Sequence, residues 1–148
     1  MTLSLQEISD RIEIDQVLAR YCYTVDNRDW ETYRRIFTEE AVIDDVVTGG
    51  IRSGVEEHIV YLKRALTNIR LSQHTISTIL LDIEGDSARA MVQCVCPMVV
   101  EMPGGTTQTM ILGVRYRDRL ARQRGTWRIS ELIEENFWNF NVPVGFKF

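Results

Sequence analysis

The chain has 148 residues, of which 45% are hydrophobic and 26% are charged, and its formal net charge at pH 7 is -4. This length predicts a single domain over residues 1–148 that can bury a hydrophobic core without disulfide bonds. The acidic balance argues against a nucleic-acid-binding surface, and no apolar run is long enough to span a bilayer. The N-terminus lacks the basic and apolar segments of a signal peptide, so we expect a cytoplasmic protein.

Three helices are predicted in the first 66 residues. The first covers residues 1–28, and its apolar positions recur at helical spacing: Ile14, Leu18, Tyr21 and Val25. Ser4 and Glu7 resemble a capping box at its start. A short second helix begins at Asp29, and a third spans residues 54–66. A strand over residues 41–46 is predicted between the second and third helices.

From residue 70 onward the apolar period changes to two, which predicts antiparallel strands. One strand covers residues 70–84, the next alternates over 88–100, another over 110–116, and the last begins at Thr126. Three helices followed by four long strands predict an α+β fold. We expect a curved, mostly antiparallel sheet that wraps around the N-terminal helices as a cone-shaped half-barrel with one open end.

The last strand is less regular than the others. Its apolar positions change parity between Ile129 and Leu132, and a bulge near Glu131 would explain the change of face. The directions of Glu131, Glu134 and Glu135 therefore stay open at this point. Most should face solvent, and one that pointed into a cavity would be a second acid–base candidate.

Three cysteines do not form a disulfide framework, because their number is odd and their spacing is irregular. These are Cys22, Cys94 and Cys96. Cys94 and Cys96 could join His74 in a zinc site, but C-x-C is not a usual zinc-binding spacing. We therefore interpret the cysteines as core residues and predict no metal.

Tyr21, Asp26 and His74 are the candidate catalytic residues. Asp26 ends the first helical pattern, and His74 lies in a later strand pattern, so a carboxylate could orient an imidazole across the fold. Each also has a structural interpretation: a core tyrosine, a turn aspartate and a hydrogen-bonded core histidine. On an ideal helix Tyr21 and Asp26 point about 140° apart. They could share a cavity only if the helix end unwinds or the pocket wraps around it.

Several segments together resemble a known family. They are R-Y-C-Y-T-V-D-N-R-D-W-E-T-Y-R-R-I-F-T-E-E-A-V (20–42), G-V-E-E-H-I (54–59), H-T-I-S (74–77), G-D-S-A-R-A (85–90), Y-R-D-R-L (116–120) and G-T-W-R-I (125–129). Over nearly the whole chain, these segments resemble the SnoaL-like branch of the nuclear-transport-factor-2-like superfamily. Within that branch the chain is similar to the group that contains scytalone dehydratase, bile-acid 7α-dehydratase and hexachlorocyclohexane dehydrochlorinase.

The resemblance implies a set of site residues. Those enzymes pair a helix-borne aspartate with a strand-borne histidine, which match Asp26 and His74, and Tyr21 matches a tyrosine that holds or protonates the leaving oxygen. It also implies no cofactor, no metal and a homo-oligomer, with a trimer favoured. One departure is that several members carry an arginine on the last strand, whereas residues 129–135 contain none.

Our leading hypothesis is a cofactor-independent, dehydratase-like lyase. His74 would abstract a proton from a small hydrophobic substrate, Asp26 would orient the imidazole, and Tyr21 would hydrogen-bond the leaving or carbonyl oxygen. The substrate pocket is predicted from these residues: Met98, Met110, Leu112, Phe137 and Trp138. Two alternatives remain, a double-bond isomerase that uses the same dyad and a non-catalytic module for ligand binding or assembly.

The C-terminal residues 136–148 are rich in aromatic side chains, which would form a large apolar patch if they were free in water. We therefore predict that this segment packs over the mouth of the cone or against a neighbouring subunit.

Overall fold

The computed structural model describes residues 2–148, apart from the side chain of Phe137. These residues form three helices and seven strands in the order α1 (Leu5–Asn27), α2 (Trp30–Ile36), β1 (Phe37–Asp44), β2 (Arg52–Ser53), α3 (Val55–Ala65), β3 (Ile69–Ser72), β4 (Thr75–Glu84), β5 (Ser87–Glu101), β6 (Thr107–Gln123) and β7 (Thr126–Phe140). The predicted α+β fold is confirmed. The single strand predicted over residues 70–84 is wrong, because it divides into β3 and β4.

All seven strands belong to one sheet with the order β2-β1-β7-β6-β5-β3, and β4 also pairs with β5. Every pairing is antiparallel except that between β1 and β7. The β6–β7 hairpin has a two-residue loop, Arg124-Gly125, and both residues have positive φ. This conformation matches the twist of a tight hairpin, and the glycine adopts it at little cost.

The core lies between the helices and the concave face of the sheet. Alternate residues of β5 are buried, and they pair across the sheet with buried residues of β6: Val92 with Tyr116, Cys94 with Val114, Cys96 with Leu112, and Met98 with Met110. Cys22 is buried in the same core, and the three cysteines are free thiols. Burial of these apolar side chains is the main stabilising contribution to such a core.

Helix α1 is fixed to the sheet through a buried carboxylate. The predicted capping box is present, since Ser4 accepts from the backbone of Glu7 and the Glu7 side chain accepts from the backbone of Ser4. Further along the helix, Asp10 is buried and accepts hydrogen bonds from Arg122 and from the indole nitrogen of Trp127. These bonds attach the first half of α1 to β6 and β7, and the other end of the helix reaches the candidate site.

Candidate active site

The structure brings Asp26 and His74 into direct contact. Asp26 is the penultimate residue of α1, and His74 lies in the break between β3 and β4. The Oδ1 atom of Asp26 is 2.6 Å from Nδ1 of His74, and its Oδ2 atom accepts the backbone N–H of His74 at 2.8 Å. The carboxylate therefore holds both the ring and the main chain of His74.

The position of His74 at the edge of the sheet, between β3 and β4, creates this geometry. The backbone N–H of Gln73 donates to the Pro97 carbonyl at 3.1 Å, while the next N–H, that of His74, donates to Asp26 instead of to β5. The register with β5 is unchanged across the break, from Ser72 opposite Met98 to Thr75 opposite Val95, so the N–H of His74 points away from β5, as alternate N–H groups do in an antiparallel pair. Among the described residues no further strand pairs with β3 or β4 on that outer side, and Asp26 takes the acceptor position there.

The environment of Asp26 favours its ionised form. Burial opposes ionisation, but hydrogen bonds and attraction from His74, together with a 2.8 Å bond from the Ser72 hydroxyl, leave the pKa of Asp26 below its ordinary value. The anionic carboxylate accepts the Nδ1–H of a neutral imidazole, which leaves Nε2 as the free basic nitrogen. This is the arrangement of a histidine general base.

Arg28 connects the end of α1 to β3, and the sequence analysis did not identify it. It has a left-handed backbone, with φ of 59°, and its guanidinium donates to the carbonyls of Val25 at 2.6 Å and Ile69 at 3.1 Å. The same guanidinium lies 3.4 Å from the Ser72 hydroxyl. Arg28 therefore positions Ser72 against Asp26. The one sequence signal was a long basic residue at the end of the predicted helix.

Tyr21 lies beside His74 without unwinding of the helix. Helix α1 continues to Asn27, and the Tyr21 and His74 ring centroids are 6.3 Å apart in an edge-on arrangement. The Tyr21 ring also lies 5.5 Å from that of Tyr116. Burial raises the pKa of Tyr21 well above its ordinary value, so the phenol remains a neutral hydrogen-bond donor.

Tyr21, His74 and Tyr116 line a small cavity of about 60 Å³ inside the cone. Of the predicted pocket residues, Met98 and Leu112 also line it. Met110 lies in an adjoining groove of about 460 Å³ under the C-terminal segment, which shares Leu112 with the cavity.

Trp138, another predicted pocket residue, does not line the cavity. Trp138 pairs with Gly113, and its ring occupies the position that a Gly113 side chain would take. That position faces away from Leu112, because neighbouring residues of a strand point to opposite faces. Trp138 therefore lies on the convex face, which corrects its predicted place. The side chain of Phe137 lies outside the described part of the chain.

The C-terminal segment closes the open end of the cavity. Phe146 and Phe148 pack against the core with ring centroids 4.9 Å apart, and Phe148 also lines the cavity. Of the two predicted positions for this segment, the structure shows the one over the mouth of the cone.

The cavity also contains polar groups that the sequence analysis left open or missed: Asp45, Thr48, His58, Tyr61 and Glu134. The predicted bulge in β7 is present between Ile129 and Glu131, and it turns Glu134 inward, opposite Tyr116. Glu131 and Glu135 instead pair with arginines of β6 on the convex face. The sequence signal for His58 was its place between Val55 and Leu62, on the apolar stripe of α3.

Burial shifts the inner titratable groups toward their neutral forms. It raises the pKa of Glu134 to about 7 and that of Asp45 to about 6, and it lowers the pKa of His58 to about 4. The Nε2 atom of His58 is 3.4 Å from Oδ2 of Asp45. Asp45 also accepts the Ile51 backbone N–H at 2.7 Å, and a side chain at Gly50 would collide with its carboxylate.

The fold and this site define a class: a cone-shaped α+β domain with a histidine–aspartate pair at an internal cavity. The chain belongs to the SnoaL-like domain family, whose model matches residues 6–133. The predicted resemblance to the SnoaL-like branch of the nuclear-transport-factor-2-like superfamily is thereby confirmed.

Particular relatives agree with this assignment. An uncharacterized protein of Mycobacterium tuberculosis is 34% identical over 132 residues, which are 89% of this chain and 88% of the relative. A candidate scytalone dehydratase from Novosphingobium aromaticivorans has a TM-score of 0.80 at 16% identity, with 95% of this chain and 97% of that chain covered. A hexachlorocyclohexane dehydrochlorinase from Novosphingobium barchaimii has a TM-score of 0.78 at 18% identity, with 97% of each chain covered. At these identities the two structures show the shared fold.

Within residues 2–148, no group of three histidine, cysteine, aspartate or glutamate side chains is arranged to hold a metal ion. None of the helices in the same range combines the length and the apolar character needed to cross a membrane.

Proposed function

We propose that the protein is a cofactor-independent lyase of the dehydratase type. The observation that carries the proposal is the 2.6 Å contact between Asp26 and His74, whose ring lines an internal cavity. A neutral imidazole held by a carboxylate can remove a proton next to a carbonyl group, and Asp26 stabilises the imidazolium that forms. The dehydratase and dehydrochlorinase among the structural neighbours share the fold, which supports elimination chemistry by analogy.

Tyr21 has the second role in this proposal. Its phenol, which remains protonated, donates a hydrogen bond to the substrate carbonyl oxygen as negative charge develops there. The substrate is a small hydrophobic molecule whose reacting atoms lie in the cavity and whose apolar part extends into the adjoining groove of about 460 Å³, because Leu112 and Phe148 form apolar walls of both.

The test is elimination from a panel of bicyclic β-hydroxy ketones, with products identified by mass. Loss of one water indicates a lyase, and an unchanged mass with a shifted double bond indicates the isomerase alternative. His74→Ala should lower kcat/KM by about 10²- to 10⁴-fold, because it removes the general base.

Gln73→Ala is the matched control for this substitution, since it changes the exposed neighbour of His74 and should leave the rate near that of the native protein. A His74→Ala protein that is folded by circular dichroism and eliminates water at the native rate would refute the proposal.

We also propose that the chain forms a homo-oligomer, with a trimer favoured, through the convex face of the sheet. Trp138, Phe140 and Val95 are apolar and exposed on this face. A depression of about 510 Å³ lined by Leu80 and Ile133, among others, lies further along the same face. Exposed apolar area of this kind is typical of a protein interface.

A further inference from the structure

Glu134 lines the same cavity as His74 but comes from a different part of the fold. The β7 bulge directs Glu134 inward, and Tyr116, its partner on β6, contacts the ring of Tyr21, which in turn contacts His74. A ligand in the cavity therefore meets the imidazole and a second carboxyl group together.

The contacts of Thr48 indicate the protonation state of this carboxyl group. The Thr48 Oγ1 atom is 2.9 Å from the backbone oxygen of Asp45 and 2.7 Å from Oε2 of Glu134. A hydroxyl group has one hydrogen, and a carbonyl oxygen can only accept. Both contacts are hydrogen bonds at the same time only when Glu134 carries a proton and donates it toward Thr48. The buried position agrees with this, because burial raises the pKa of Glu134 to about 7.

The surroundings of Glu134 contain no strong counter-charge. No lysine or arginine among the described residues lines the cavity. The groups that face Glu134 are Asp45 after β1, His58 and Tyr61 of α3, Tyr21 of α1, Tyr116 of β6 and His74. Asp45 repels the charged form of Glu134, and His58 is held neutral by burial. An anionic ligand group would therefore meet carboxyl groups without a cationic partner.

We propose that Glu134 is the acid partner of His74 and makes the site selective for substrates with an uncharged oxygen group. This inference rests on the proposed lyase function. In the elimination, His74 Nε2 takes the proton from carbon, and the electron pair of that C–H bond forms the new double bond. The C–O bond breaks, and the leaving hydroxyl takes the Glu134 proton and departs as water. Transfer of the proton from the imidazolium to Glu134 restores both groups.

The experiment compares two probes of nearly the same shape, 2-acetonaphthone and 2-naphthoate, by isothermal titration calorimetry. The neutral ketone can accept the hydrogen bond that Glu134 otherwise donates to Thr48, whereas the carboxylate would lose its hydration in a cavity whose described lining has no lysine or arginine. We expect the native protein to bind the ketone at least about tenfold more tightly. Raising the pH through about 7, where Glu134 ionises, should weaken ketone binding.

Glu134→Gln retains a donor but cannot ionise, so its affinity for the ketone should not fall as the pH rises. At about pH 8, where Glu134 of the native protein is ionised, the variant should bind 2-naphthoate about tenfold more tightly than the native protein does. Glu135→Gln is the matched control, because Glu135 is the next residue of β7 and pairs with Arg117 on the convex face. Glu135→Gln should bind both probes with the affinities and the pH dependence of the native protein.

Equal affinity for the two probes, binding of neither probe, or a pH dependence that Glu134→Gln retains would overturn the inference. The binding assay does not require turnover. If the ketone preference is present and His74→Ala does not affect elimination, the lyase proposal fails while the selectivity assigned to Glu134 stands. If elimination depends on His74 but the protein does not prefer the ketone over 2-naphthoate, only the role proposed for Glu134 is refuted.

Discussion

Asp26 and Asp118 are both carboxyl groups within the fold, but their partners give them opposite charge states. Asp26 receives hydrogen bonds from His74 and Ser72, which outweigh the cost of its partial burial. Asp118 is buried, and its Oδ1 atom has no hydrogen-bond partner among the described residues. Burial raises the pKa of Asp118 to about 8, so this group is protonated in the folded protein at neutral pH.

Asp118 should make the stability of the protein depend on pH. Its folded-state pKa of about 8 exceeds its ordinary value of 3.8, so the unfolded chain releases a proton that the folded state retains. The contribution of this group to the free energy of unfolding is complete below its ordinary pKa, and it is lost as the pH rises through the folded-state value. Asp118→Asn should therefore stabilise the protein by about 1–3 kcal/mol more at high pH than at low pH, measured by urea unfolding.

Asp82→Asn is the control for this measurement, since Asp82 lies exposed on β4. It should leave the pH dependence of the native protein unchanged. If the free energy of unfolding of Asp118→Asn depends on pH in the same way as that of the native protein, Asp118 is not protonated in the folded state as we infer.

At the scale of elements, the geometry of the candidate site depends on an edge of the sheet and on bulges in β7. The edge position of His74 directs its backbone N–H to Asp26, and the first bulge in β7 turns Glu134 into the cavity. A second register shift follows between the pairs Gly113–Trp138 and Val114–Asn136. It accommodates one extra residue, so Trp138 lies on the convex face although its place in the chain suggested the pocket.

The C-terminal segment should control access to the cavity. Deletion of residues 141–148 removes Phe146 and Phe148 from the mouth of the cone. We expect 2-acetonaphthone to associate faster with the truncated protein, as measured by stopped-flow fluorescence. We also expect the free energy of unfolding to fall by about 2–4 kcal/mol, because two half-buried aromatic side chains are lost.

Two single substitutions distinguish the effect of the aromatic contacts on the association rate from the effect of shortening the segment. Phe148→Ala should reproduce most of the faster association, whereas Val144→Ala should not, because Val144 is fully exposed. Association rates that are the same in all of these proteins would show that the segment does not limit entry.

At the scale of the whole molecule, the two faces of the sheet carry different kinds of side chains. The concave face holds the core and the cavity, and the convex face combines apolar residues with ion pairs such as Arg117 with Glu135. The stretch from Arg115 to Arg124 contains five arginines, and these ion pairs, together with that of Arg122 and Asp10, offset much of their charge. This organisation agrees with an assembly surface more than with a polyanion-binding surface.

The proposed trimer can be tested by analytical ultracentrifugation. The native protein should sediment as three chains, and Phe140→Asp should shift it toward the monomer, because a charge on the convex face would be desolvated in the interface. Val60→Asp is the control, since Val60 is 70% exposed on α3 and lies away from the sheet. A native monomer, or a Phe140→Asp protein with the native mass, would contradict the proposal.

The sequence by itself determined the helices, most of the strands and the family. The helical spacing of Ile14, Leu18 and Val25 and the alternation along β5 each reflect local burial, which leaves a periodic trace in the chain. The capping box and the tight turns are also local, since their hydrogen bonds join residues a few positions apart. For the same reason the segment around Asp26 was sufficient to identify the candidate dyad by resemblance.

Only the tertiary structure decided how the site is completed. The contacts of His74 with Asp26, Glu134 with Thr48, and His58 with Asp45 join residues that are 48, 86 and 13 positions apart. Such contacts depend on strand breaks, bulges and registers, and these are set by hydrogen bonds between distant segments rather than by the period of either segment. The direction of Glu134 and the position of Trp138 on the convex face could not be read from alternation alone, because one inserted residue reverses every side chain that follows it.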